Sequence, residues 1–268
     1  MGASGTSESE SNVRAIARGL AVLQAVNRGG SSSVMEICRG AGLPYPTTWR
    51  IVQTLTEQGM IEREPSRKRY RPTALVRTLS YGFQEKDQLV AVARSHIIAL
   101  TNQLSWPISI VTRVGPMMMV RDSTHNLTSL TLHNYAPGFT MPIIECSSGK
   151  TYLAFCDDKE RVSVLQGLRQ IDGPAERMAL LLTSNERMLQ DIRARGFATQ
   201  ARNTYTATPG KTSSIAVPLF HHDRVVGALA LMFFASAVSM SAAEERFAGP
   251  LQATARAIST ALDALPVD

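Results

Sequence analysis

An α+β fold in two domains is what the sequence predicts, on three observations. The chain has 268 residues, too long for one small module and short enough for two. Its basic excess sits at one end: between Asn12 and Tyr81 eleven Lys and Arg stand against four Glu, which more than accounts for the net charge of +6. The apolar periodicity also changes, from short helical repeats in the first third to clustered strand-like runs flanked by helices beyond it. Strands grouped together with helices at both ends favour a segregated α+β domain over a doubly wound sheet.

Residues 1–11 are rich in Ser, Gly and Glu and read as a disordered tail. Over 13–27, Ile16, Leu20, Leu23 and Val26 recur near helical spacing and stop at Gly29-Gly30. Ser33-Val34-Met35-Glu36 matches a capping box and opens a second helix whose apolar face is Val34, Ile37, Cys38 and Ala41, ending at Gly42. After Leu43-Pro44 a third helix runs to about Gln58; Thr48, Ile51, Val52 and Leu55 face the core, and Thr47, Trp49, Arg50, Gln53 and Thr54 lie opposite. Residues 60–63 and 70–72 read as strands around the basic tip 65–69. Helix, short helix, tight turn, helix and basic hairpin is the pattern of a winged helix-turn-helix, assigned to 12–75.

A linker helix is expected over 76–87, and a second domain over 88–268. There the sequence predicts a helix at 88–104, strands at 107–114, 117–123 and 127–133, and helices at 149–155, 159–168 and 185–195. Strands at 213–220 and 225–234 follow, then a helix opened by the capping-box match Ser241-Ala242-Ala243-Glu244.

Several function classes are disfavoured. No apolar run approaches a membrane span or a signal peptide, which points to the cytoplasm. Cys38, Cys146 and Cys156 are widely spaced and read as reduced, buried thiols. The five histidines show no metal-binding spacing, so no metal or cofactor is expected. Ser147-Ser148-Gly149-Lys150 satisfies S-x-x-K and Lys211-Thr212-Ser213 approaches K-T-G, but no S-D-N element accompanies them. Ile144 and Tyr205 occupy the positions where a phosphate-binding loop needs its first glycine. The chain therefore does not read as an enzyme.

A helix that reads duplex DNA needs small or polar groups at its start and a long cation to span the groove. Tyr45, Pro46, Thr47, Trp49 and Arg50 have that placement, and a proline in the first turn forfeits no intrahelical bond. Trp49 has two readings, a contact to sugar or base and burial against the wing. Arg67, Lys68 and Arg69 at the hairpin tip suit the flanking backbone or minor groove, with Arg14 and Arg18 as further candidates for phosphate.

The stretches 14–23 (RAIARGLAVL) and 37–55 (ICRGAGLPYPTTWRIVQTL), the wing end Tyr70-Arg71-Pro72-Thr73, and 147–150 (SSGK) followed by Leu153-Ala154-Phe155 resemble the IclR family of bacterial transcription regulators. Within it, Val120-Arg121-Asp122, 129–133, 214–219 and 235–237 look most like activators of hydroxyphenylpropionate catabolism. The resemblance implies a GAF/profilin-like effector-binding domain and a homodimer or homotetramer on double-stranded operator DNA. It also implies a small-molecule effector, an aromatic (phenolic) acid, in a pocket lined by Leu130, His133, Met141, Ser147, Ser148, Asn203 or Thr204, Ser214, Ala230 and Met232. The alternative is a DNA-binding protein without a ligand, whose second domain serves only oligomerisation.

Overall fold

A computed structural model of the chain describes residues 6–83, 88–131, 135–169, 177–178, 181, 185–204 and 209–265. The chain divides into two compact units, Met1–Glu85 and Lys86–Asp268.

In the first unit, α1 (Thr6–Gly29), α2 (Val34–Ala41) and α3 (Tyr45–Glu57) precede the antiparallel pair β1 (Ile61–Arg63) and β2 (Tyr70–Pro72). Their core is Val22, Val26, Ile37, Val52 and Ile61, each at most 1% exposed. Ser33 caps α2, its hydroxyl accepting from the Glu36 N–H while the Glu36 carboxylate accepts from the Ser33 N–H, so the predicted capping box is present. Gly42 ends α2 with φ of 65°, a left-handed conformation that a glycine adopts without a Cβ clash. That turn lets α3 start within three residues. Ser32 then exchanges both backbone hydrogen bonds with Tyr70, lashing the hairpin to the segment before α2.

Three details of this unit differ from the sequence reading. α1 begins at Thr6, inside the stretch read as a tail. Ile16 and Leu20 fit the apolar spacing of α1 yet are 66% and 51% exposed, because α2 and α3 cover the helix only from Val22 onward. The segment after β2 forms a 3₁₀ helix, Ala74–Phe83, where a linker helix is expected; residues 84–87 lie outside the described ones.

The second unit contains α4 (Gln88–Leu104), β3 (Ile108–Val114), β4 (Met117–Ser123), β5 (Thr140–Pro142), α5 (Ser147–Phe155), α6 (Asp158–Arg169), α7 (Glu186–Arg195), β6 (Ala198–Gln200), β7 (Thr212–His221), β8 (Arg224–Phe234) and α8 (Met240–Asp263). The six strands form one antiparallel sheet in the order β5-β4-β3-β8-β7-β6. Strand periodicity of two sorts its side chains. Ile108, Ile110, Ile215, Val217, Leu229 and Leu231 pack on one face against Ile97 of α4 and Phe247, Leu251 and Ile258 of α8. Val111, Val120 and Met232 project from the other face toward Leu153 of α5, Leu165 of α6 and Leu189 of α7. This α+β arrangement agrees with the predicted fold class.

Three further expectations change. Residues 127–131 form no strand, and 132–134 lie outside the described residues. The short strands β5 and β6, each of three residues, had no periodic signal long enough to see. The N-cap of α8 is Ser239, whose hydroxyl accepts from the Ala242 N–H, two residues before the serine of the capping-box match.

Candidate functional site

The first candidate surface is the outer face of α3. Thr48 and Val52 are fully buried, and the Thr48 hydroxyl donates to the Pro44 carbonyl at 3.1 Å. Anchoring that side leaves Tyr45, Pro46 and Arg50 exposed and Thr47 half-buried. No side chain caps α3, so its first-turn N–H groups carry partial positive charge without a side-chain acceptor. Trp49 is half-buried, stacked parallel to Tyr45 at 6.5 Å and edge-on to Tyr70 of β2 at 6.4 Å. The contact with Tyr70 is the packing on the wing that one of its two readings expects.

The hairpin tip divides its three cations. Arg67 and Lys68 are exposed. Arg69 turns inward: its Nε donates to Ser31 Oγ at 3.0 Å, one terminal nitrogen donates to the Ser31 carbonyl at 2.8 Å, and the same nitrogen lies 2.8 Å from Glu36 Oε2. Two of its three guanidinium nitrogens thus hold the wing to the cap of α2, a structural role that the sequence reading of a DNA contact did not foresee. Hydrogen bonds from the Ser33 backbone and side chain, with the Arg69 charge, hold the Glu36 carboxyl below the usual carboxylate range. Arg14 and Arg18 lie exposed on α1. Ser31, and the pairing of the capping-box Glu36 with Arg69, are what sequence reading missed, since no local pattern ties positions 31 and 36 to position 69.

The second candidate site is a cavity on the α5 side of the sheet. Met141, Ser147, Ser148, Asn203, Ser214, Ala230 and Met232 all line it, brought together from β5, α5, the segment after β6, β7 and β8. Ser109, Val111, Val120, Tyr135, Cys146 and Thr212 line it too. Alternation in β3 and β7 could have found Ser109, Val111 and Thr212, which sit opposite the fully apolar face. Leu130 is corrected: it packs against the core on the α4 and α8 side of the sheet. Thr204 is exposed while Asn203 is 4% exposed, which decides between those two. His133 lies outside the described residues.

The hydroxyls that line the cavity are engaged with neighbouring groups. Ser147 Oγ and Ser214 Oγ are 2.8 Å apart, Ser148 Oγ lies 3.3 Å from Cys146 Sγ, and the Tyr135 hydroxyl lies 3.3 Å from Thr212 Oγ1. Asn203 Nδ2 points at Met141 Sδ, 3.8 Å away. Burial pushes the Tyr135 hydroxyl up to about 12 and raises the fully buried Cys146 thiol, so both stay protonated at neutral pH. The free space is about 30 Å³, room for roughly one water. A larger occupant must displace side chains, and Met141 and Met232 are the flexible, unbranched ones available to move.

The geometry gives the S-x-x-K match no nucleophile and base pair. Lys150 Nζ donates to Gln200 Oε1 at 2.7 Å, while Ser147 pairs with Ser214. Among the described residues no helix is long and apolar enough to cross a membrane.

Comparison with known proteins matches both units. Residues 15–65 match the IclR helix-turn-helix domain and residues 84–260 match the C-terminal domain of the bacterial transcriptional regulator IclR. The HTH-type transcriptional regulator TsaQ1/TsaQ2 of Comamonas testosteroni is 26% identical over 160 residues, covering 59% of this chain and 57% of that protein's length. Among solved structures, an IclR family regulator from Brucella abortus has a TM-score of 0.63 at 22% identity, covering 98% of this chain and 97% of the other. The Thermotoga maritima IclR has a TM-score of 0.62 at 20% identity, covering 96% and 100%. An IclR homolog from Microbacterium hydrocarbonoxydans, solved in complex with 4-hydroxybenzoate, has a TM-score of 0.62 at 21% identity, covering 94% and 100%. With both family domains matched in order over most of its length, the chain belongs to the IclR family of bacterial transcription regulators.

Proposed function

We propose that the protein is a ligand-responsive transcription regulator that binds double-stranded operator DNA through α3 and the wing, and senses a small aromatic acid in the cavity behind α5. The observation that carries the first part is the outer face of α3. A helix anchored through Thr48 and Val52 leaves Tyr45, Pro46, Thr47 and Arg50 outward at an uncapped, electropositive N-terminus, beside an exposed Arg67-Lys68 pair. Arg50 spans toward a guanine edge or phosphate, and Arg67 and Lys68 take the flanking backbone. Two copies on a pseudo-palindromic site supply two such helices, with half-sites spaced by about one helical turn.

For the second part, a cavity whose exposed lining is mainly apolar, interrupted by serine, threonine and tyrosine hydroxyls, suits a ring bearing a carboxylate. α5 starts at Ser147 without a side-chain cap, which adds first-turn N–H groups to the end where the serines sit. The Microbacterium relative holding 4-hydroxybenzoate supports a phenolic acid as the class of effector, as does the resemblance to regulators of hydroxyphenylpropionate catabolism. Because the cavity is nearly closed, the ligand opens it on binding, exchanging the Ser147–Ser214 bond for bonds to its own carboxylate.

Fluorescence anisotropy of the full chain on the DNA upstream of its own gene tests both parts. We expect binding that weakens steeply with salt, and a shift in apparent affinity on adding 4-hydroxybenzoate or hydroxyphenylpropionates. Salt-insensitive or absent binding removes the DNA reading. Operator binding unmoved by the acids, with no heat of binding in calorimetry, leaves the second unit as an oligomerisation domain alone.

A further inference from the structure

The tip of the β7–β8 hairpin carries a cluster that takes no part in the cavity. His221 and His222 stack ring on ring, with centroids 4.3 Å apart and planes 28° from parallel. Asp263, the last residue of α8, meets them from elsewhere in the chain: its Oδ1 accepts the His222 backbone N–H at 2.8 Å and lies 3.7 Å from His222 Nδ1. One donor atom from each of the three residues falls within 4.8 Å of the others. The turn is a two-residue one, with φ of 47° at His222 and 62° at Asp223. Asn, Asp and His are the non-glycine residues that most readily take such a φ, which lets the turn present an imidazole at its first position.

We propose that His221, His222 and Asp263 together bind one divalent transition-metal ion, of the zinc and nickel class, which pins the hairpin to the end of α8. Two imidazoles and a carboxylate suit such borderline ions, where magnesium and calcium take oxygen-only sets. Bonds of about 2.0–2.2 Å in a tetrahedral shell put neighbouring donors about 3.4 Å apart. The His222–Asp263 pair already stands near that spacing, and rotation of the His221 ring closes the rest. The hydrogen bond from His222 N–H orients the carboxylate, as outer-shell donors do around metal ligands. The His222 and Asp263 side chains are about half exposed, leaving the remaining coordination positions to water. Sequence spacing hides the site, because Asp263 stands far along the chain and adjacent histidines match no metal motif.

The test is a competition titration of tag-free, chelator-treated full-length protein with ZnCl2, NiCl2 and MgCl2 against a chromophoric chelator. The expected result is one zinc or nickel ion per chain with micromolar affinity, no magnesium binding, and at least about tenfold weaker zinc binding in His222→Asn and in Asp263→Asn. Asparagine tolerates the left-handed turn, so His222→Asn keeps the hairpin while removing the imidazole. Melting of each variant in chelator, equal to that of the parent, verifies the fold, and zinc should raise the melting temperature of the parent alone. Absence of saturable binding below millimolar zinc overturns the proposal. So does binding that persists unchanged when His222→Asn is combined with His221→Gln.

Discussion

Ser147 at the start of α5 and Ser214 in β7 share a hydrogen bond of 2.8 Å at the wall of the cavity, each hydroxyl serving as the other's partner. Ser147 is buried and Ser214 half-buried, so removing Ser214 leaves a buried, unsatisfied hydroxyl at a cost of about 1–3 kcal/mol, removing Ser147 costs less because Ser214 is partly exposed, and removing both is close to neutral. Ser147→Ala and Ser214→Ala should therefore each lower stability, and the double variant should regain most of it. Affinity for a phenolic acid should behave differently. It should fall by about ten- to a hundredfold, the range for hydrogen bonds to a charged group, in all three variants. Urea unfolding alongside calorimetry separates the two effects. Affinity restored in the double variant would show that the serines do not touch the ligand.

Arg50→Ala should weaken operator binding by about 1–3 kcal/mol and relax sequence preference if its guanidinium reads a base edge. Lys68→Ala should instead weaken binding uniformly across sequences and reduce the slope of log affinity against log salt by about 1. Anisotropy on the operator and on a scrambled duplex, at four salt concentrations, distinguishes base reading from phosphate contact. Equal losses on both duplexes for Arg50→Ala would reassign that residue to the backbone.

Those two arginines, Arg50 and Arg69, show what the sequence makes legible and what it does not. Arg50 lies on the polar side of a helix whose apolar side is periodic, and periodicity alone turns it outward. The capping box at Ser33, strands β3, β4, β7 and β8, and the exposed cations Arg67 and Lys68 follow from equally local signals. Arg69 does not, because its partners Ser31 and Glu36 are reached through a contact that only the folded hairpin makes. Leu130, placed in the pocket by resemblance alone, packs instead on the α4 and α8 side, because the segment read as a strand over 127–133 forms no strand at 127–131 and its side chains do not follow strand alternation. The cavity's serines were legible by resemblance, but its near closure was not, since volume depends on how Met141 and Met232 pack.

Gly149 in α5 and Gly167 in α6 predict opposite outcomes for the same substitution. A Cβ on Gly149 would fall onto the Ile143 carbonyl, whose backbone cannot yield without unseating the turn before α5. Gly149→Ala should therefore destabilise the second unit by about 3 kcal/mol or more, the upper end of the cost of forcing atoms into a packed core, because the clash is with backbone. A Cβ on Gly167 meets nothing within 4 Å. Gly167→Ala should stabilise by about 0.5–1 kcal/mol through helix propensity alone. Thermal melting of both variants checks the sign. A stable Gly149→Ala protein would mean that α5 can shift away from Ile143, which would also enlarge the cavity.

Glu36 sets a pH dependence on the first unit. Its carboxyl titrates below the usual range because the Ser33 backbone, the Ser33 hydroxyl and Arg69 all favour the charged form. A group whose pKa is lowered by folding contributes stability above its unfolded value, about 4.3, and loses it as pH falls through the folded value. The wing's attachment should thus weaken on acidification below about pH 4.5, while neutral and alkaline pH leave it unchanged. Trp49 sits against Tyr70 of the wing, so its fluorescence reports that attachment once Trp106 is replaced by Phe. In that background Glu36→Gln should unfold earlier than the parent at pH 7, and the two should converge once the pH falls below the lowered folded-state pKa of Glu36. Added salt should shrink the part owed to Arg69 and leave the Ser33 hydrogen bonds in place. Parallel curves at every pH would mean that Glu36 acts only by filling space at the cap.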